Sequence, residues 1–376
     1  MDQETAQLLF KEGAIFILLD VPLGTEFGID YNCWDVGPKF KGVKMIPPGV
    51  HFIYYSAKNK EGQVAPRTGF FHEFKQREII LRKWDPLTED IKAEEDNPDV
   101  MECYEINKQE LDQYLAPYPY DNYKKWVSLT NHITSDLLTL LHVEGVKISS
   151  VTALKSEKSD SLSRAADRLR NSEPVRDVSQ ECQSIKEAES HLSKLQFAPH
   201  TSVQYHTVPR KYPVGASPAD VTKYSLDSSY ALSTMIESCY DNKELLLLGE
   251  LQLSFVCFII GQVYDGFEQW KKLVSVLSTA QRAVITYQNL YMQCIKVLYF
   301  QLKEIPEDFF VDILSQQNFL TDTLYEFFLN LNNEEVNDEL RKRGAKFKAN
   351  LTETFKWDFS REPDEYAPVV VETEII

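Results

Sequence analysis

One change of hydrophobic period divides this chain and sets its broad architecture. Over residues 14–84 the apolar runs are short, β-branched and aromatic, at 14–19, 50–55, 69–74 and 79–84. Such runs read as strands. Turn signals lie between them: Val21-Pro22-Leu23-Gly24, Gly37-Pro38, Pro47-Pro48-Gly49 and Lys60-Glu61-Gly62. No helical pattern separates neighbouring strands, which predicts an antiparallel sandwich. From 216 to 357 the spacing becomes three and four. Phe255, Ile259, Val263, Phe267, Trp270, Val274 and Leu277 step that way, as do Tyr287, Tyr291, Ile295, Leu298 and Leu302. That period belongs to helices. No 20–50-residue unit repeats cleanly, so the helical half is expected to be a bundle or short solenoid.

At 376 residues the chain is long enough for two or three domains. Residues 1–112 are expected to form the β-sandwich. Its last stretch, 85–112, carries eleven acidic residues against two basic ones and reads as a solvated loop leading into a helix. A helical connector follows at 113–142, where Trp126, Leu129, Ile133, Leu137 and Leu140 or Leu141 share one face. Residues 143–200 turn polar and read as a flexible linker. The all-helical domain spans 201–357, although Val203 and Tyr205 suggest a stray strand returning to the first sheet. Ser217-Pro218-Ala219-Asp220 is a helix start: a capping hydroxyl, a first-turn proline and an acid facing the dipole. Pro306 with Glu307 and Asp308 opens another helix; 319–331 and 336–355 supply two more. Gly261 and Gly266 inside an apolar helical run each cost about 1 kcal/mol against alanine, so a close helix contact or a bend is expected there.

Chemistry is harder to find. Lys plus Arg total 40 against 57 Asp plus Glu, a net charge of −17, which disfavours duplex nucleic acid and anionic membrane alike. The start, Met1-Asp2-Gln3-Glu4, is acidic and the run 14–19 stops at Asp20, so no signal peptide is expected. Glu250 and Gln252 interrupt the longest apolar stretch, so no membrane span is expected. The six cysteines are far apart with no C-x-x-C pair, as reduced core thiols are. None of the seven histidines lies in the helical region from 216 onward. His72-Glu73-Phe74-Lys75-Gln76 lacks the second ligand of a metalloprotease helix and sits in a strand context. Gly24-Thr25-Glu26-Phe27-Gly28 lacks the lysine of a phosphate loop. Cys33 with His51 is the one nucleophile–base pair available to a cysteine hydrolase. Arg341-Lys342-Arg343 with Lys346 and Lys348 is the one basic cluster: a solvated helix face, an import signal or an acidic-partner patch. Together with 39–44 it is also the only basis for RNA binding.

The end of the chain, 358–376, is acidic, punctuated by proline and strongly β-prone at Val369, Val370, Val371, Ile375 and Ile376. An extended segment of this kind can join the open edge of a sheet, on its own β domain or on another protein. Ordering it costs about 1–2 kcal/mol per residue of backbone entropy, so docking needs a second surface.

The blocks Gly24-Thr25-Glu26-Phe27-Gly28-Ile29-Asp30, Val36-Gly37-Pro38-Lys39-Phe40-Lys41-Gly42-Val43-Lys44-Met45-Ile46-Pro47-Pro48-Gly49 and Leu248-Gly249-Glu250-Leu251-Gln252 resemble the cistron-splicing factor family. Residues 117–131, 304–324 and 357–372 resemble it too; 85–107 and 143–213 resemble it less. The resemblance implies a β-sandwich followed by a superhelical all-α domain, and an assembly chaperone of the U5 snRNP rather than an enzyme. It implies no cofactor, no small-molecule substrate and no direct contact with nucleic acid. The implied partner is the large central scaffold protein of U5 snRNP, held through its RNase H-like and Jab/MPN-like domains. The spliceosomal RNA helicase is kept off that scaffold until maturation, and phosphorylation promotes release. By the same resemblance the tail adds a strand to the scaffold through Val369, Val370 and Val371, with Glu372 and Ile375 beside them. Cytoplasmic and nuclear residence is expected.

Overall fold

The computed structural model describes residues 2–59, 61–93, 104, 107–150, 203–305 and 319–359. A short helix α1 (Gln3–Glu12), capped by the Asp2 carboxylate at the Thr5 N–H (2.8 Å), leads into ten strands among the described residues. They are β1 (Ala14–Leu19), β2 (Glu26–Ile29), β3 (Asn32–Asp35), β4 (Gly42–Ile46), β5 (Gly49–Ser56), β6 (Thr68–Phe74), β7 (Ile79–Asp85), β8 (Asp90–Ala93), β9 (Leu115–Pro117) and β10 (Ile148–Ser149). One sheet has the order β8-β7-β1-β4-β9 and the other β10-β6-β5-β2-β3. The four runs expected as strands form β1, β5, β6 and β7.

Two pairings depart from an all-antiparallel pattern: β1 with β7 and β4 with β9 run parallel. Strand β1 is central in its sheet and covered on both faces, which is why its run is apolar without alternation. Phe16 and Leu18 point into the core between the sheets; Ile15 and Ile17 pack with Leu81, Leu115 and Leu111 on the other side. The expected loop at 85–112 is partly structured. β8 extends the first sheet from Asp90, and α2 (Lys108–Leu111) precedes β9. The stretch from Val203 to Val208 forms no strand; Glu250 of the helical half holds it instead.

The connector face expected as a single helix divides into α3 (Tyr123–Thr130) and α4 (Ser135–Leu140), with the Thr134 hydroxyl capping the second. The helical half comprises α5 (Pro218–Leu226), α6 (Ser229–Cys239), α7 (Glu244–Ile259), α8 (Tyr264–Thr279), α9 (Ala283–Thr286), α10 (Gln288–Leu302), α11 (Phe319–Leu331) and α12 (Asp338–Phe355). Ser217 caps α5 as expected, its hydroxyl accepting from the Asp220 N–H at 3.2 Å. The long apolar run breaks between α7 and α8, where Gln262 takes a positive φ of 59°. Gly266 then brings the two helices together: a Cβ there would stand 2.6 Å from the Ser254 carbonyl. The helix expected from Pro306 lies outside the described residues.

Every residue of α7 from Leu247 to Cys257 is buried, the mark of a helix enclosed on all sides. One flank packs in the helical core with Trp270, Leu298 and Phe327. The other meets the second sheet: Leu253, Val256 and Cys257 share a cluster with Phe52, Tyr54 and Phe71, and with Trp126 and Leu137 of the connector. The sheets and the helices are therefore joined by apolar packing, not merely tethered.

Candidate functional site

Two buried carboxylates organise the polar contacts. Asp30 is the first residue of the two-residue turn between β2 and β3, with a φ of 55° and its side chain turned inward. Asp is among the few non-glycine residues that tolerate this region. Its Oδ1 accepts from the Phe52 N–H (3.0 Å) and its Oδ2 from the Tyr118 hydroxyl (2.6 Å). His51 Nδ1 lies 2.7 Å from the same Oδ2, and His51 Nε2 lies 2.9 Å from the Pro47 carbonyl. Burial, reinforced by the Asp30 charge, pushes the Tyr118 hydroxyl well above its ordinary value.

Glu250, wholly buried in α7, repeats the chemistry. Its Oε1 accepts from the His206 N–H (3.0 Å) and Gln269 Nε2 (2.9 Å); its Oε2 accepts from the Tyr240 hydroxyl (2.7 Å) and meets His206 Nδ1 at 2.7 Å. Burial and then the Glu250 charge raise the Tyr240 hydroxyl strongly. Both carboxylates are engaged by groups of their own chain, Glu250 by four and Asp30 by three, as buried charges must be.

Further contacts lock connector, sheet and helices together. Gln252 accepts from the His132 N–H and donates to Asn131 Oδ1, both at 2.8 Å. A Cβ at Gly249 would stand 2.3 Å from the His132 carbonyl, so only glycine lets the connector backbone lie on α7 there. Trp126 Nε1 donates to the Val50 carbonyl at 2.9 Å. Arg67 pairs with Glu26 (3.0 Å), stacks on Tyr54, and donates to the Ile260 carbonyl (2.9 Å) at the C-terminal end of α7, where the dipole favours a cation. Lys125 joins Glu304 at 2.5 Å while lying over the Tyr31 ring.

The structure does not assemble Cys33 and His51 into a catalytic pair. Cys33 is exposed on β3, opposite Gly28, while His51 is buried with both ring nitrogens engaged. The imidazole therefore faces Asp30 and the Pro47 carbonyl, not the Cys33 thiol. His72 lies in β6, opposite His51. Among the described residues no group of three or more His, Cys, Asp and Glu side chains could hold a metal ion. No helix there is long and apolar enough to cross a membrane. Val369, Val370, Val371, Glu372 and Ile375 lie outside the described residues. What the structure does fix is the root of that segment. Phe359 is buried against Phe328, with ring centroids 5.0 Å apart, and its carbonyl accepts from Lys348 Nζ at 3.2 Å.

Trp126 apart, spacing did not single out the residues that close these joints, but many of them fall in the blocks that carried the resemblance. Asp30 and Pro47 lie in the first two blocks, Tyr118, Trp126 and Asn131 in 117–131, and Gly249, Glu250 and Gln252 in the third. Two family models match the chain: the AAR2 N-terminal domain over residues 12–143 and the AAR2 C-terminal repeat region over residues 205–360. The human protein named Protein AAR2 homolog is 44% identical over 375 residues, covering 99% of this chain and 97% of its own. The chain belongs to the AAR2 family. The Caenorhabditis elegans AAR2 homolog is 38% identical over 368 residues, 95% of this chain and 98% of that protein. The yeast relative, named A1 cistron-splicing factor AAR2, is 22% identical over 312 residues, 82% of this chain and 81% of its own. The AAR2 N-terminal match covers the sheets except β10, with the connector; the AAR2 repeat region covers the helices that follow.

Proposed function

We propose that this AAR2-family chain is a pre-mRNA splicing factor that acts without catalysis, as an assembly chaperone of the U5 snRNP. Near full-length kinship with proteins of this family, one of them named a cistron-splicing factor, is the observation that carries the reading. The chain engages the large central scaffold protein through that protein's RNase H-like and Jab/MPN-like domains. It keeps the RNA helicase from the scaffold until the particle matures, in the cytoplasm and the nucleus. Two features support a binding role. The buried carboxylates are consumed in holding the chain together, and packing between sheet and α7 presents both halves as one platform. Residues 369–372 with Ile375 add a strand to the scaffold, and Phe359 anchors where that segment begins.

Affinity capture of the tagged chain from nuclear extract, followed by mass spectrometry, tests the reading. Recovery of the U5 scaffold without the helicase is expected, and removal of residues 368–376 should lower the yield at unchanged thermal stability. Capture without any U5 protein, or equal yield after truncation, overturns the corresponding half of the proposal.

A further inference from the structure

Helices α10 and α12 leave between them a groove of about 440 Å³. Ile295, Tyr299, Phe300 and Phe347 form its floor; Lys296, Arg343 and Lys346 form its rim. Phe300 is 38% exposed although aromatic. Lys303, over the Tyr299 ring at 5.2 Å, adds a further charge beside the floor. Arg343 is partly neutralised by Glu339 at 2.7 Å, and Lys296 donates to the neutral Gln293 at 3.1 Å. Lys346 has no hydrogen bond or ion pair among the described residues. On a chain of net charge −17, cations gathered round an apolar floor select an acidic ligand with apolar side chains.

The chain carries such a ligand nearby. Residues 360–376 hold five acidic side chains and one basic, together with Tyr366, Val369, Val370, Val371, Ile375 and Ile376. They begin directly after Phe359, which lines the neighbouring hollow on the other flank of α12 with Arg341 and Lys348. A helix is about 10–12 Å across, and extended chain covers about 3.3 Å per residue. A few residues therefore reach round α12, and a short tether gives an effective concentration in the millimolar range.

We propose that the α10/α12 groove is a binding site for this chain's own acidic C-terminal segment, 360–376. The segment occupies it within one molecule when no partner claims it. Lys346 and Arg343 face its carboxylates, and its valine, isoleucine or tyrosine side chains cover Phe300. This goes beyond the scaffold reading and is independent of it, since the test needs no scaffold.

The test uses the full chain with a photoreactive benzoylphenylalanine at position 300, irradiated at low protein concentration and mapped by mass spectrometry. The expected product is a crosslink within one chain from position 300 into 360–376. Arg343→Glu with Lys346→Glu should reduce it at least five-fold, and adding Glu372→Lys with Glu374→Lys should restore it. Both reversed positions are on the surface, and circular dichroism confirms the fold of each variant. Crosslinks confined to other segments, a yield indifferent to charge reversal, or products joining two chains in proportion to concentration each overturn the proposal.

Discussion

Replacing Glu250 by alanine should loosen the start of the helical half, and its size follows from the contacts. Four donors lose their acceptor together: the His206 N–H, His206 Nδ1, the Tyr240 hydroxyl and Gln269 Nε2. A buried donor left unsatisfied costs about 1–3 kcal/mol, but the four share one site and do not add. Water can also enter the space the carboxylate leaves. Removing one partner of a buried charged cluster typically costs about 3–5 kcal/mol, so a loss of about 4 kcal/mol is expected. For a unit of this size that lowers the melting temperature by roughly 10 °C. Glu250→Gln is the discriminating variant. Its amide oxygen can still accept from the His206 N–H and Gln269, and its amide hydrogens can donate to the Tyr240 oxygen. It should lose only about 1–2 kcal/mol. Urea denaturation followed by circular dichroism gives the energies, and hydrogen exchange at the His206 amide gives the location. An alanine variant within about 1 kcal/mol of wild type, or a glutamine variant worse than alanine, refutes the assignment.

Gly266→Ala should destabilise by about 1–3 kcal/mol, because its Cβ must push against the Ser254 carbonyl on the facing helix; thermal unfolding measures it. Asp85 is held at about 2 by the Lys92 ammonium, the Leu87 N–H and the Thr88 hydroxyl. A folded value below the unfolded one, near 3.9, means its stabilising effect is complete above about pH 4 and lost as pH falls through 2. Asp85→Asn should flatten the fall in melting temperature across that window. Burial pushes the Cys257 and Cys294 thiols up to about 12. Brief iodoacetamide treatment of native protein at pH 8 should therefore label exposed Cys33 and leave these two intact by peptide mapping.

The strands that carry β-branched and aromatic runs were readable because the apolar residues lie side by side in sequence. β2, β3 and β4 were not: each has four or five residues, and Gly28, Asn32, Asp35 and Lys44 dilute the pattern. β8 was concealed by its acidic setting, since Asp90 and Lys92 mask a single buried side chain, Ile91. In the helical half the period was plain, and Gly261 and Gly266 marked the place of the bend and close contact, although the positive φ at Gln262 leaves no mark on spacing. The joints were the least accessible. Asp30 meets His51 and Tyr118 across 21 and 88 positions, and Glu250 meets His206 across 44. Only folding brings such partners together, so no local rule marks them. The Leu248-Gly249-Glu250-Leu251-Gln252 block drew notice as a resemblance, and its physical cause is that three successive needs meet there. Gly249 admits a backbone, Glu250 collects donors, and Gln252 grips the connector.

The mutual burial of the second sheet and α7 also governs how the molecule can behave toward a neighbour. Prising the halves apart would wet Phe52, Tyr54, Phe71, Leu253 and Val256 at once, so they cannot swing like a hinge to suit what they grip. The span from β3 to the far helices is that of a caliper with its screw tightened. Whatever closes around it must bring the pliancy itself.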